Sequence, residues 1–394
     1  MTGTGRNLLL TAGLVVLLAI GAAILPGTGW VCGLGFVLGL VGVMLLRGNR
    51  WRSGALVAAA LAVAAGLLNL FAALISPQAH GVGIVETLEP RDWSVADADL
   101  GYRPRPGTKI QATATWGSET IYKVTYTITP EGFRATPAAP PGADTYLFLG
   151  DSFMYGHGLA DDQTLPAQFA RLEDFKVKTA LFAAPGYAPN QLVRAFETGR
   201  FDAFKTQKVK AVVTWIIPPH LGRVTGEGSW LASSPRYELD NTTPRFTGSF
   251  ESWRWRHPVE GLAYLARERL PFLATIGLRQ REAQQAALFT ALVRRLQALA
   301  RERLGAPLIV ICSWPDETTL PRFDGLGPEA QARLVAILVD LRDGGIPVVA
   351  VNPLTLHRDP ATIAIPHDGH PTAFTDGLIA EALQRRLTSI LAAP

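Results

Sequence analysis

Cysteine is almost missing from the 394 residues: Cys32 and Cys312 are the two instances. With Cys32 in an apolar run and Cys312 in a predicted core strand, a disulfide within the part of the chain after the apolar runs is excluded. Acidic residues are missing from positions 1–79, which carry only Arg6, Arg47, Arg50 and Arg52. The 37 basic residues less these four leave 33, equal to the 33 acidic ones, so the formal charge of +4 belongs to the front of the chain. The remainder is neutral and predicts no nucleic-acid partner. Charge of either sign is missing from residues 8–25, 30–46 and 54–75. Each run is close to the ~20 residues with which a helix crosses the hydrocarbon core of a bilayer.

These runs predict a three-helix transmembrane anchor over residues 1–79. A cleaved signal peptide is the competing reading of the first run, since Arg6 precedes it and Pro26 ends it, but no small-x-small cleavage site follows and two more spans come directly after. A core helix is the competing reading of the third, which is rich in alanine and contains Asn69. Short loops rich in Arg stay in the cytoplasm. Arg6 and the Arg47, Arg50, Arg52 loop therefore lie inside, the uncharged link Pro26–Gly29 lies outside, and everything after Pro77 emerges on the outer, periplasmic or extracellular, side of the cell membrane.

From His80 to about Pro141 polar and apolar residues alternate, as in the run from Tyr122 to Ile128, and this period of two predicts half-buried strands. Residues 80–143 are thus a small β-rich lead-in that ends in a Pro/Ala/Gly linker. From Asp144 on, short apolar runs alternate with amphipathic stretches, the pattern of a parallel sheet built from βαβ units. The strands are expected at Tyr146–Leu149, Thr179–Ala183, Ala211–Ile217, Pro307–Cys312 and Pro347–Val351, with helices at Leu278–Leu304, Pro328–Arg342 and Phe374 to about Leu391. The aromatic and Arg-rich segment of about 221–275, which includes Trp253 and Trp255, reads as an insertion. It predicts a packed excursion, with a sugar-facing wall or a membrane-surface contact as alternatives.

In an open parallel sheet, ligands bind beyond the carboxyl ends of the strands. Gly150-Asp151-Ser152 stands there, after the run Tyr146–Leu149. Alone it is as well explained as a turn with a helix cap. A serine hydroxyl becomes a nucleophile only beside a base, and the chain has seven histidines. His370, in His367-Asp368-Gly369-His370-Pro371, stands on a loop before the last helix, with Asp368 in reach of its second ring nitrogen. A metal site of His367, Asp368 and His370, completed by His220 or His157, is the alternative. Asp151 is expected to brace the loop.

Gly150-Asp151-Ser152-Phe153 with Tyr155-Gly156-His157-Gly158 resembles the first block of the GDSL/SGNH hydrolases, and Asp368-Gly369-His370-Pro371 resembles their last. The resemblance spans roughly residues 144–394 and implies a flavodoxin-like three-layer α/β domain, with Ser152 as nucleophile, His370 as base, Asp368 as acid and no cofactor. Ala184-Pro185-Gly186-Tyr187 is similar to the second block, which implies that the amides of Ser152 and Gly186 hold the oxyanion. The third block normally supplies an asparagine, but here the chain reads Ile217-Pro218-Pro219-His220-Leu221, leaving His220, Asn190 or two amides alone to serve.

The function expected is hydrolysis of acyl esters on a cell-envelope glycan or lipid-linked substrate at the bilayer surface. O-acyl transfer to envelope polysaccharide uses the same residues and implies a multi-span acyl-donor partner. A non-catalytic glycan-binding or scaffold protein on the same fold is the reading from another class.

Overall fold

The computed structural model describes residues 83–269, 277–314 and 327–392, with scattered positions between 37 and 64. The first expected span lies wholly outside the described residues, and the second and third are described only at isolated positions. Among the described residues no helix is long and apolar enough to cross a membrane. The chain divides into two compact units, residues 1–81 with 257–279 and residues 82–256 with 280–394.

The larger unit opens with five short strands: β1 (Ile84–Glu89), β2 (Ser94–Asp97), β3 (Gly101–Pro104), β4 (Lys109–Trp116) and β5 (Glu119–Thr127). β1, β4 and β5 form an antiparallel sheet, and β2 pairs with β3. The period-two pattern holds in space, for Ile110, Ala112 and Ala114 of β4 and Tyr122 and Tyr126 of β5 all point inward and are buried.

After the linker come β6 (Thr145–Gly150), the single turn α1 (Ser152–Tyr155), α2 (Leu165–Leu172), β7 (Lys178–Ala183), α3 (Pro189–Glu197), β8 (Val209–Ile216) and α4 (His220–Arg223). The expected insertion is a hairpin, β9 (Pro235–Asp240) with β10 (Thr243–Ser249), followed by α5 (Phe250–Arg256). Arg236 lies over the Trp253 ring at 4.1 Å, so that indole is covered from within the hairpin. α6 (Pro258–Arg269) belongs to the other unit. Then follow α7 (Leu278–Leu304), β11 (Leu308–Cys312), α8 (Pro328–Asp343), β12 (Val348–Ala350) and α9 (Ala373–Ala392).

The five expected strands of the parallel sheet are present, in the order β12-β11-β8-β6-β7, every neighbouring pair parallel. Read from β7 this is the order 2-1-3-4-5 of flavodoxin-like sheets. β6 is apolar from Tyr146 to Leu149 and buried at every residue, as strands covered on both faces must be. Alternate residues feed two cores. Leu147, Leu149 and Phe182 pack with α3, α7 and α8, whereas Tyr146, Phe148 and Leu181 pack with α2, α9 and the lead-in strands. Each such buried Leu or Phe contributes about 1.5–3 kcal/mol. The chain leaves β6 for β7 on one side and returns to β8 on the other. The crevice between the carboxyl ends of β6 and β8 is therefore the point where the winding reverses, and Ser152 and His220 stand on its two banks.

Candidate active site

Gly150 ends β6 where the chain folds sharply into α1, and a Cβ there would come within 2.5 Å of the Met154 Cβ, so the turn demands glycine. Asp151 caps α1 with its carboxylate, which accepts from the Phe153 N–H at 3.0 Å. Because α1 is one turn long, its macrodipole is small, and the polarity near Ser152 comes from individual N–H groups. Gly156, with φ +74°, closes the turn. Buried Arg134 holds the following loop by donating to the carbonyls of Tyr155, Gly156 and Leu159.

Ser152, buried at the start of α1, has its Oγ 2.8 Å from the His370 Nε2, and the His370 Nδ1 pairs with the Asp368 carboxylate. Burial pushes the Asp368 carboxyl up, but the hydrogen bond and charge of His370, with His157 adding a little, outweigh it and hold the group below its ordinary range. An ionised Asp368 accepts a hydrogen bond from the Nδ1–H and so keeps the proton on that nitrogen, which leaves Nε2 as the acceptor facing the serine hydroxyl. The 218 residues that separate the two in sequence are closed by the sheet.

The acid–base loop is held from the lead-in. His367 sits in the left-handed region at φ +64°, and its ring stacks on Trp116 of β4 at 4.1 Å and 6°. The Ala364–Pro371 bridge and the Ile365 N–H to His370 carbonyl bond, 2.8 Å, close the loop on itself. His157 lies against the His370 ring, centroids 4.5 Å apart, and its Nε2 meets the Tyr122 hydroxyl at 3.0 Å and the Glu86 carboxylate at 3.1 Å. The sequence offered His157 only as a possible metal ligand and pointed to no role in the site for Trp116, Tyr122 or Glu86. No local pattern announces them, since each acts through packing between the lead-in sheet and the later loops.

The two side chains suggested as oxyanion donors are corrected by the structure. The buried His220 gives Nε2 to Asp151 at 3.0 Å, and its Nδ1 accepts from the Ile217 N–H at 3.4 Å, so both nitrogens are spent across the crevice. Burial drives the His220 pKa down against the attraction of Asp151, with Arg223 adding to the fall, so the ring is neutral. Asn190 is fully buried at the start of α3 and donates to the Pro235 carbonyl at 2.7 Å, which ties α3 to the hairpin. Arg223 completes the Asp151 cluster at 2.9 Å. Burial raises the Asp151 carboxyl, and His220, Arg223 and the Phe153 N–H together bring it below its ordinary value. Asp151 thus braces the floor beneath Ser152, as its position suggested.

Gly186 follows β7. Gly150 is in register with Ala183, and the Ala184 N–H reaches the Gly150 carbonyl at 3.3 Å, so the Ser152 and Gly186 backbones leave neighbouring strand ends. Gly186 has φ +84°, and a Cβ there would meet the Trp230 indole nitrogen at 2.6 Å and the Tyr102 hydroxyl at 2.7 Å.

Of the histidines weighed as metal ligands, His367 is turned onto Trp116 and His220 onto Asp151. His157, Asp368 and His370 offer ligand atoms within 4.8 Å of one another. Either nitrogen that His370 gave to a cation would be taken from Asp368 or from Ser152, so a cation and the Ser–His–Asp chain exclude each other at that ring.

No family model and no curated protein matches the sequence. Among solved structures the fold is similar to Axe2, an acetylxylan esterase from Geobacillus stearothermophilus, with 14% identity, 62% of this chain and 95% of that chain covered, and a TM-score of 0.37. It is similar to LAE5, an alpha/beta hydrolase enzyme from the metagenome of Lake Arreo, at 14% identity, 64% and 97% coverage and a TM-score of 0.37. A protein of the G-D-S-L family from Desulfitobacterium hafniense DCB-2 is similar at 10% identity, 61% and 98% coverage and a TM-score of 0.35. At such identity the likeness concerns the course of the chain and leaves the chemistry to the side chains.

Proposed function

We propose that the protein is a serine hydrolase of carboxylic esters, and the single observation that carries this reading is the continuous contact Ser152–His370–Asp368 at the carboxyl edge of the parallel sheet. The Ser152 Oγ attacks the acyl carbon while its proton passes to the His370 Nε2. Asp368 stabilises the imidazolium so formed and keeps the ring oriented. The carbonyl oxygen, now anionic, is held by the N–H groups of Ser152 and Gly186. With His220 and Asn190 engaged elsewhere, two backbone amides are the donors. A side-chain donor contributes about 2.7–4 kcal/mol where one is present, so this protein is a slower catalyst than one with three donors. The alcohol leaves with the proton from His370, and a water, deprotonated by the same ring, attacks the acyl-serine and releases the acid.

The substrate proposed is an acyl ester on a cell-envelope glycan or lipid-linked saccharide. Its support is the charge-free runs 8–25, 30–46 and 54–75, read as an anchor that sets the site at an outer membrane face. A sugar hydroxyl in place of water makes the same machinery an O-acyltransferase.

The test is labelling of the folded full chain with a fluorophosphonate probe, with Ser152→Ala as control. We expect one adduct, on Ser152. An unlabelled wild-type chain that retains its fold removes the catalytic reading and leaves a binding or scaffold role.

A further inference from the structure

A cavity of about 450 Å³, within the 300–1,000 Å³ range of small-ligand sites, opens between the segment that follows β8 and the first turns of α7 and α8. Pro218 and Pro219, just beyond the end of β8, line it, which puts it on the β8 bank of the crevice whose other bank carries Ser152. Arg223 joins the two places: it lines the cavity and holds the Asp151 carboxylate, next to Ser152, at 2.9 Å. Trp230 joins them again, since its indole lines the cavity while the ring nitrogen lies 3.5 Å from the Gly186 carbonyl. The indole is 51% exposed, and bare Gly228 leaves room for it, as a Cβ there would meet the ring at 2.8 Å.

The lining decides what fits. Two arginines, Arg223 and Arg333, face two glutamates, Glu227 and Glu282, so the cavity is neutral in sum. Each charge already has a partner: Arg223 on Asp151, Arg333 on Glu282 at 2.8 Å, and Glu227 with the Gln285 amide. A phosphate or carboxylate ligand would have to break one of these pairs. A long acyl chain would have to desolvate them without giving a hydrogen bond in return. A polyol satisfies the same groups without disturbing them, because its hydroxyls both donate to the carboxylates and accept from the guanidinium N–H groups, while its C–H face covers the indole.

We infer that this cavity binds the alcohol part of the substrate, a sugar ring stacked on Trp230, and thereby sets specificity for acylated glycans over simple esters. The inference rests on the proposed esterase reading and deepens it. The acyl group then lies over Ser152 and the leaving hydroxyl points toward His370, with the sugar on the β8 side.

The test uses the full chain and the ratio of kcat/KM for a mono-O-acetylated methyl hexoside to that for p-nitrophenyl acetate. Trp230→Ala and Ala330→Trp, the latter filling the cavity from the partly exposed first turn of α8, are each expected to lower the ratio tenfold or more, chiefly through KM for the sugar ester. The second variant is needed because Trp230 also roofs Gly186. A ratio that neither variant moves overturns the inference, as do equal losses on both esters. It is also overturned if the loss falls on p-nitrophenyl octanoate instead, which would make the cavity an acyl-chain site. If Ser152 takes the fluorophosphonate label but the sugar ester is not turned over, the inference fails and the esterase reading stands; if the label is absent, both fall.

Discussion

The neutral, buried His220 should make the protein lose stability in mild acid, and the loss can be calculated. Burial holds its folded pKa below the ordinary 6.5. An unfolded chain at pH 5.5 gains a proton on this residue that the folded chain does not take up, so the unfolded state binds more protons and stability falls as pH falls. The contribution is present above the unfolded pKa near 6.5 and is lost as pH drops toward the folded one. If the folded ring stays neutral at pH 5.5, the loss between pH 7.5 and 5.5 is about 1.3 kcal/mol, or about 0.4 M in a urea midpoint at a slope near 3 kcal/mol/M. Asp151 is silent in that window. Its folded pKa is depressed below 3.8, so its own contribution is present above that value and is lost only in stronger acid. The comparison is with His220→Gln, whose amide can still donate to Asp151 but does not titrate, so that pH effects arising elsewhere in the chain cancel. Urea denaturation followed by tryptophan fluorescence at pH 7.5, 6.5 and 5.5 should show wild type losing about 1.3 kcal/mol more than the variant over the range. Equal losses in both proteins would refute the reasoning, for they would mean that His220 takes up its proton in place.

Three further outcomes are expected. Asp368→Asn, which leaves no carboxylate to hold the Nδ1 proton, should lower kcat for ester hydrolysis by about 10³–10⁴ while fluorescence and circular dichroism stay those of wild type; activity within tenfold of wild type would deny Asp368 its role. Trp116→Ala removes the stack under His367, worth about 0.5–1.5 kcal/mol, and should lower kcat up to about tenfold with KM little changed, Trp116→Phe restoring most of it; a loss confined to KM would instead mean that the stack shapes the substrate site. Added Zn²⁺ should inhibit reversibly through His157, Asp368 and His370, and EDTA should leave the purified protein active; inactivation by EDTA, reversed by Zn²⁺, would point to metal-assisted hydrolysis.

The parallel sheet was legible in the sequence because strands buried on both faces are short, apolar and separated by helical stretches, and β6, β7, β8, β11 and β12 fall where those runs fall. Ser152, Asp368 and His370 were legible because two blocks at opposite ends of the domain carry them, and the structure brings the three side chains together. His220 and Asn190 misled because position after a strand says which loop a residue occupies and not where its ring or amide turns. His220 turns across the crevice to a fully buried carboxylate, since an uncompensated Asp151 there would be costly, and that need outranks the oxyanion. The lead-in showed its inward face through its period of two, with Tyr122 and Tyr126 buried as expected, but periodicity is silent on what that face touches. Hence the contacts of Trp116 with His367 and of Tyr122 and Glu86 with His157 emerge only in three dimensions.

Those contacts bear on where this chain can be cut. A fragment chosen by motif would start near Asp144, just before β6, and would contain Ser152, Asp368 and His370. It would also strip Trp116 from His367 and leave His157 without Tyr122 and Glu86, so an inert product would say nothing about the intact protein. A shortened form meant for assay has to begin ahead of Ile84, the first residue of the strand that carries Glu86.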